Sequence, residues 1–453
     1  MRCTRFSKEG SLLLLAAVTV QATLQIVPGA TWTATNTGAH VQAHGAGVVE
    51  VDGTYYLIGE DKTDGSAFQN INCYSSTDLV QWTYVGALLS QTSSSGDLGP
   101  NRVVERPKVI YNDDTAQYVM YMHIDDSSYG EAEVGVATGD TVCGTYEYQG
   151  SFQPLGFQSR DLGLFKDDDG SAYLLTEDRE NGLRIDALSD DYLNVTEATY
   201  LWSDSIEAPA LVKLDGTYYM FGSHLTGWDP NDNVYSTATS LAGPWSNWTT
   251  FATVGSNTYS SQTNFVLPFG SSAIYLGDRW VSDNLMRSTY VWLPLEFDGT
   301  SVSMSNYVNW VPDASAGTWA AGPSESQPQA EDATTSGGAE TVDCSGCSGS
   351  AAVGYIGGSS GGALTFSGIS SDATTRTTIR VKYENGDSSQ RHANVTVNGV
   401  TQLVAFLPTD DGNTPGSSTV HADLTAGSGN TVVITTTDGS YGPDVDRIMV
   451  PVS

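Results

Sequence analysis

Short runs of alternating apolar and polar residues dominate the chain. They are bounded by Asp-Gly and Asn-Asp pairs, and helical spacing is scarce. One unit recurs as strand, tight turn and aromatic strand. It spans residues 48–57 around Asp52-Gly53, 109–121 around Asn112-Asp113-Asp114, 164–175 around Asp167-Asp168-Asp169-Gly170, and 211–221 around Asp215-Gly216. A weaker fifth copy covers 274–280, with its turn near Asp278. Repeats of this hairpin at a period of roughly 50–60 residues predict an all-β fold that begins with a five-bladed β-propeller. In such a ring of small sheets, residues at the start of each inner strand converge on the central axis. A β-sandwich with similar hairpins is the competing arrangement.

The pattern changes after Trp319. Residues 320–328 are rich in Ala, Gly, Ser and Pro and are expected to be a linker. Residues 329–453 return to alternating strands, such as 377–383 and 395–397, separated by Gly, Ser and Asn turns, which predicts a small β-sandwich of jelly-roll type. At the other end, Arg2, Arg5 and Lys8 precede an apolar run from Leu12 to Val20, and Val20-Gln21-Ala22 offers a cleavage site. Residues 1–22 therefore read as a secretion signal, too short to span a bilayer, and 23–319 as the propeller domain.

Composition narrows the setting. The 453 residues carry 52 acidic and 19 basic side chains, a net charge of −33. That field repels phosphate backbones and anionic membranes, so neither nucleic acid nor membrane is an expected partner. An extracellular, monomeric protein fits, and Asn194, Asn247 and Asn394 become glycosylation acceptors in that setting. Once the signal is removed, four cysteines remain. Cys344-Ser-Gly-Cys347 is expected to form a small disulfide, whereas Cys73 and Cys143 are left either paired or free.

Three carboxylates stand just before, or at the start of, repeats: Glu105 in Val-Glu-Arg-Pro, Asp161 in Arg-Asp-Leu-Gly, and Glu207 in Ile-Glu-Ala-Pro. Glycosidic bond cleavage needs an acid for the leaving oxygen and a second group for the anomeric carbon. Glu207 has apolar neighbours that favour its protonated form, and a nearby Asp161 would raise its pKa further. His44 and His224 are expected to make solvent-facing hydrogen bonds rather than a metal site.

On the segments Ile206-Glu207-Ala208-Pro209 and Asp161 before Leu164-Phe165-Lys166-Asp167-Asp168-Asp169-Gly170, residues 40–310 resemble glycoside hydrolase family 43, inverting enzymes on a five-bladed propeller. The resemblance implies Glu207 as general acid and Asp161 as the group that sets its pKa. Most members carry an Asp as base in the first blade; here that position falls at Gly45. The absence resembles the exo-β-1,3-galactanase branch, which keeps a Gln in the last blade, matching Gln262. The implied roles are water positioning by Gln262, through an imidic-acid tautomer, and sugar binding by Glu105, with Glu105 as the alternative base. Glu60 and Tyr129 are further sugar-pocket residues by the same resemblance, and Trp228 is another candidate, with a place in the core as the alternative.

Residues 329–453 resemble carbohydrate-binding module family 35, on Gln329-Ala330-Glu331-Asp332-Ala333, residues 381–387, Val397-Asn398-Gly399 and Asp444-Val445-Asp446-Arg447-Ile448. This implies a structural Ca²⁺ held by Glu331 and Asp446, and a sugar site at Tyr355, Arg391, Asn413 and Asp444. The expectation for the whole is a secreted hydrolase that removes galactose, with inversion, from the non-reducing end of the β-1,3-galactan backbone of arabinogalactan. An arabinan- or xylan-cleaving relative and a non-catalytic galactan lectin are the rival readings.

Overall fold

The computed structural model describes residues 24–409, 414–436 and 438–452. The proposed signal (1–22) and Asn413 lie outside them. Five four-stranded antiparallel sheets, each built from consecutive strands, form the blades of a propeller. Their inner strands are His44–Val51, Val103–Asn112, Leu162–Lys166, Ile206–Leu214 and Gln262–Phe269. Each packs on the next, and the fifth returns to the first, closing the ring without a shared sheet. The seam is aromatic: Trp32 stacks on Tyr290 with centroids 4.9 Å apart and meets Trp292 edge-on at 4.9 Å. A Cys73–Cys143 disulfide ties blade 1 to blade 2, and Cys344–Cys347 is also bonded.

The fifth hairpin is displaced from its sequence assignment. Its strands are Gln262–Phe269 and Ser272–Arg279, so the turn lies at Gly270-Ser271 and Asp278 sits inside the second strand. Asp278 is fully buried, where it accepts the Gly45 N–H at 2.6 Å and bonds His44 Nδ1 at 3.0 Å. The hairpin period places a turn near Asp278, but the contacts of its carboxylate with Gly45 and His44 belong to a strand position. His44 is correspondingly buried rather than solvent-facing, whereas His224 is exposed.

The inner strands share one irregularity. His44, Glu105, Glu207 and Gln262 pair with Glu60, His123, Ser223 and Asp278 on the neighbouring strand, and in each case one extra residue is inserted within the next three positions. Such bulges re-aim side chains at the rim of a sheet. In three of them the residue after the rim position has positive φ: Gly45 (57°), Arg106 (52°) and Ala208 (55°). In blade 3, Glu177 bonds both Arg160 N (3.0 Å) and Asp161 O (2.9 Å), doing the same work.

The C-terminal unit is a β-sandwich. One sheet is ordered Glu340–Asp343, Ala351–Gly354, Asp444–Val452, Thr375–Glu384, Gly416–Leu424; the other is Thr334–Ser336, Ala363–Ser371, Gly427–Thr435, Arg391–Val397, Val400–Phe406. Val381, Phe406, Ile434 and Ile448 lie in the core between them. Within the stretch expected as a linker, Thr318–Ala321 closes a two-stranded ribbon with Trp310–Asp313, and Ser324–Ser326 pairs with Asp444–Val452. The join is therefore strand, not loose chain. The segment ahead of blade 1 reinforces it: Thr31 N–H donates to Ser417 O (2.7 Å) and Thr419 N–H to Thr31 O (3.2 Å), while Ile26 bridges to Trp310.

Candidate active site

A cavity of about 220 Å³ lies at one end of the propeller axis, among the starts of the inner strands. Its wall includes Glu60, Glu105, Arg106, Tyr129, Asp161, Glu207, Trp228, Gln262 and Trp280. All seven propeller residues singled out from the sequence therefore meet in one place. Trp228 is half-buried in the wall rather than in the core, edge-on to Trp280 at 5.1 Å.

Glu207 and Asp161 differ in what surrounds them. Asp161 Oδ2 receives Arg106 Nε at 2.8 Å and the Ala208 N–H at 3.1 Å. Glu207 is buried; Arg179 Nη2 lies 3.8 Å away, at the limit of an ion pair. Burial, then the Asp161 charge, push the Glu207 pKa up to about 8, against the opposing pull of Arg106. A carboxyl that keeps its proton at neutral pH beside one salt-linked to Arg106 is the arrangement an acid catalyst needs.

Gln262 is completely engaged. One amide atom lies 2.6 Å from Arg106 Nη2 and 2.9 Å from Trp280 Nε1; both of those groups can only donate, so this atom is the oxygen. The amide nitrogen donates to Glu207 Oε1 (2.9 Å) and Ser223 Oγ (3.1 Å).

On the opposite flank, Glu105 Oε1 takes the Tyr129 hydroxyl proton at 3.2 Å and Lys62 Nζ at 3.4 Å, and Oε2 faces His123 Nδ1 at 3.5 Å. Burial alone would raise the Glu105 pKa, but Lys62, His123 and Arg106 outweigh it and hold it at about 2. His123 is itself pushed up to about 9, because Asp125 and Glu105 overcome its burial. Glu60 binds Lys62 (2.6 Å) and accepts the Arg106 N–H (2.9 Å).

The first-blade vacancy has a steric cause. A Cβ on Gly45 would collide with Glu60 Oε1 and come within 3.2 Å of the Arg106 backbone, at a φ that side chains avoid. An aspartate there would have to displace the Glu60 carboxylate.

Sequence reading missed Arg106, Lys62, His123, Glu177 and Trp280. Arg106 had a signal: it follows a candidate carboxylate and precedes a proline, the pattern of Glu207-Ala208-Pro209. The others end or follow second strands, where nothing local distinguishes them from ordinary strand residues.

In the sandwich, Tyr355 is 52% exposed and lies edge-on to Tyr441, 51% exposed, at 6.2 Å. Arg391 joins this end by donating to Gly442 O (2.9 Å) and pairing with Asp387 (2.7 Å). Burial raises the pKa of Asp444, which Arg391 offsets in part. Tyr441, not singled out beforehand, completes an aromatic pair. At Glu331 and Asp446, Asp446 accepts the Ser348 N–H at 3.0 Å and pairs with Arg447, and burial, the largest influence, raises its pKa. Glu331 Oε2 and Gln329 Oε1 are buried with no hydrogen-bond partner among the described residues.

A propeller whose axial cavity sets a buried carboxyl of raised pKa beside a second carboxyl salt-linked to Arg106 is built to cleave glycosidic bonds. The profile of Glycosyl hydrolases family 43 matches residues 40–268, and the chain belongs to that family. A crystal structure of exo-β-1,3-galactanase from Phanerochaete chrysosporium, with galactose, is 40% identical over 94% of this chain and 100% of that one, with TM-score 0.67. A putative exo-β-1,3-galactanase from Bifidobacterium bifidum s17 is 38% identical over 62% of this chain and 97% of its own (TM-score 0.60). One from Clostridium thermocellum is 26% identical over 93% and 99% (TM-score 0.63). No curated protein matches the chain.

Over residues 363–450 the matching profile is "Alpha-galactosidase, CBM13 domain", not the family 35 module expected. The segments behind that expectation were short strand-and-turn pieces, such as Val397-Asn398-Gly399, that many sandwiches share; Gln329–Ala333 lies outside the matched range.

Proposed function

We propose that this hydrolase is an exo-β-1,3-galactanase acting with inversion. Near-complete coverage at 40% identity by an enzyme so described supports the substrate, and a second structure of that enzyme holds β-1,3-galactotriose. The observation that carries the chemistry is Glu207 beside Asp161. As the C1–O bond breaks, its electron pair goes to the leaving oxygen, which takes the Glu207 proton, while a water forms the new bond at C1 from the other face. Glu105, ionised by Lys62 and His123, is a weak base, suited to accepting a sugar hydroxyl. It needs to take the water's proton only after bonding, when the oxygen has become strongly acidic. That proton then returns to Glu207. The cavity is smaller than a drug-sized pocket of about 300 Å³ or more, as a single terminal sugar requires.

The sandwich tethers the enzyme to its polymer through Tyr355, Tyr441 and Arg391, raising the effective substrate concentration. Calcium there would be structural, on Glu331 and Asp446; the partnerless oxygens of Glu331 and Gln329 support an oxygen-rich cation cradle. We further propose that the protein is secreted and monomeric. The test is incubation with β-1,3-galactan, arabinan, xylan and β-1,4-galactan while products are followed by NMR. Early α-galactose from the β-1,3 polymer alone is expected. Initial β-galactose would overturn inversion, and arabinose or xylose would overturn the substrate.

A further inference from the structure

We infer that Arg106 is a positioning residue for the general acid: by fixing the carboxamide of Gln262, it dictates which oxygen of Glu207 carries the proton that is transferred. The inference rests on the reading of Glu207 as acid and takes it one step further.

Arg106 is 5% exposed and spends its guanidinium in three directions: Asp161 Oδ2, Gln262 Oε1, and the pair Thr263 O and Asn264 Oδ1, both at 3.0 Å. Its own backbone is held by Glu60. A guanidinium cannot accept, nor can the Trp280 indole, so Gln262 must present its carbonyl oxygen to both. The amide N–H₂ is then forced toward Glu207 and Ser223. An amide nitrogen has no lone pair to offer, so Glu207 Oε1 can only accept there. A proton on Oε1 would point at a donor. Protonated Glu207 therefore carries its hydrogen on Oε2, the oxygen nearer half-exposed Arg179.

The same count bears on the imidic-acid role expected of Gln262. That tautomer places a hydrogen on the amide oxygen, where Arg106 and Trp280 already aim two. In the amide form both oxygen lone pairs and both N–H bonds are already used by protein groups. Gln262 thus acts through Glu207 rather than on the water, and Arg106 acts through Gln262. Lysine is no substitute for Arg106, because it lacks the planar fork that meets Asp161, Gln262, Thr263 and Asn264 in fixed directions.

Leaving-group chemistry separates the two roles. A group that serves the acid matters for a sugar leaving group and hardly matters for dinitrophenolate, which departs without a proton. A group that activates water matters equally for both, and its loss is relieved by azide, a nucleophile with no proton to lose. The variants are Arg106→Lys and Gln262→Ala, with Trp280→Phe as a milder one that removes a single N–H and keeps the ring. Each is assayed by kcat/KM on β-1,3-galactobiose and on 2,4-dinitrophenyl β-galactoside, with and without azide, with thermal melting as the folding check. On galactobiose, losses of about 100-fold are expected for Arg106→Lys and Gln262→Ala, the lower end of general-acid effects, and a smaller loss for Trp280→Phe. On the activated substrate, losses should stay within a few-fold, with no azide effect. Equal losses on both substrates in folded variants, or recovery of Gln262→Ala as galactosyl azide, would overturn the inference. Should Arg106→Lys not fold, Gln262→Ala and Trp280→Phe decide it alone. Wild-type release of galactose from β-1,3-galactan is read first, so failure of the enzyme assignment is distinguishable from failure of this step.

Discussion

The propeller cavity and the exposed end of the sandwich both handle sugar, by opposite means. In the cavity, eight charged side chains (Glu60, Lys62, Glu105, Arg106, His123, Asp161, Arg179 and Glu207) are interlocked, and most of them are buried. At the sandwich end, two half-exposed tyrosines and one Arg–Asp pair lie open to solvent. The difference follows from the task. Moving a proton at neutral pH requires a carboxyl shifted far from its usual pKa, and only desolvation with fixed neighbouring charges achieves that. Retaining a polymer requires only apolar faces and a few hydrogen bonds, which need no burial.

The sharpest break in that comparison is Glu207→Gln. Activity on β-1,3-galactan should fall by about 1,000-fold or more, the upper range for a lost general acid. Stability should move the other way. The Glu207 pKa is raised on folding, so its contribution is intact below the unfolded value near 4.5 and is lost as pH rises through about 8. Removing the carboxyl abolishes that loss, so the variant should melt above wild type at pH 9 and no higher at pH 4, as calorimetry would read. Next in size is Gly45→Asp, which restores the base that most relatives carry. Backbone strain of about 1–3 kcal/mol and the collision with Glu60 should lower both Tm and kcat. A gain in kcat would mean the first blade accommodates a base after all. Smaller still, Tyr355→Ala or Tyr441→Ala should weaken retention on insoluble galactan by about 2- to 10-fold, from about 0.5–1.5 kcal/mol per aromatic contact, as pull-down would measure. An equal loss of turnover on galactobiose would erase the distinction between the two sites.

What the sequence revealed divides along the same line. The hairpin period and the three carboxylates were legible because each repeat writes the same local pattern. Gln262 was found only through resemblance. The supporting ring of His123, Glu177, Ser223 and Asp278 was not legible, because its members lie at the ends of second strands and acquire meaning only opposite the starts of the inner strands. Asp278 was even taken for a turn. Pairing of residues 24–34 with the sandwich was hidden for a different reason: its partners lie more than 350 positions away, as in Gln25 N–H to Thr378 Oγ1. Tyr441, which lies edge-on to Tyr355, is far from it and from Arg391 in sequence and carries no local signal of its own.

The central claim is that Glu207 is held protonated by burial and by Asp161, and it is tested most directly by the pH dependence of kcat/KM on β-1,3-galactobiose. The account predicts an alkaline limb near pH 8 in the wild type, since activity is lost as the acid ionises. In Asp161→Asn, which removes the neighbouring charge, that limb should move to lower pH. An alkaline limb near pH 4.5, or one that stays in place when Asp161 is neutralised, would contradict it.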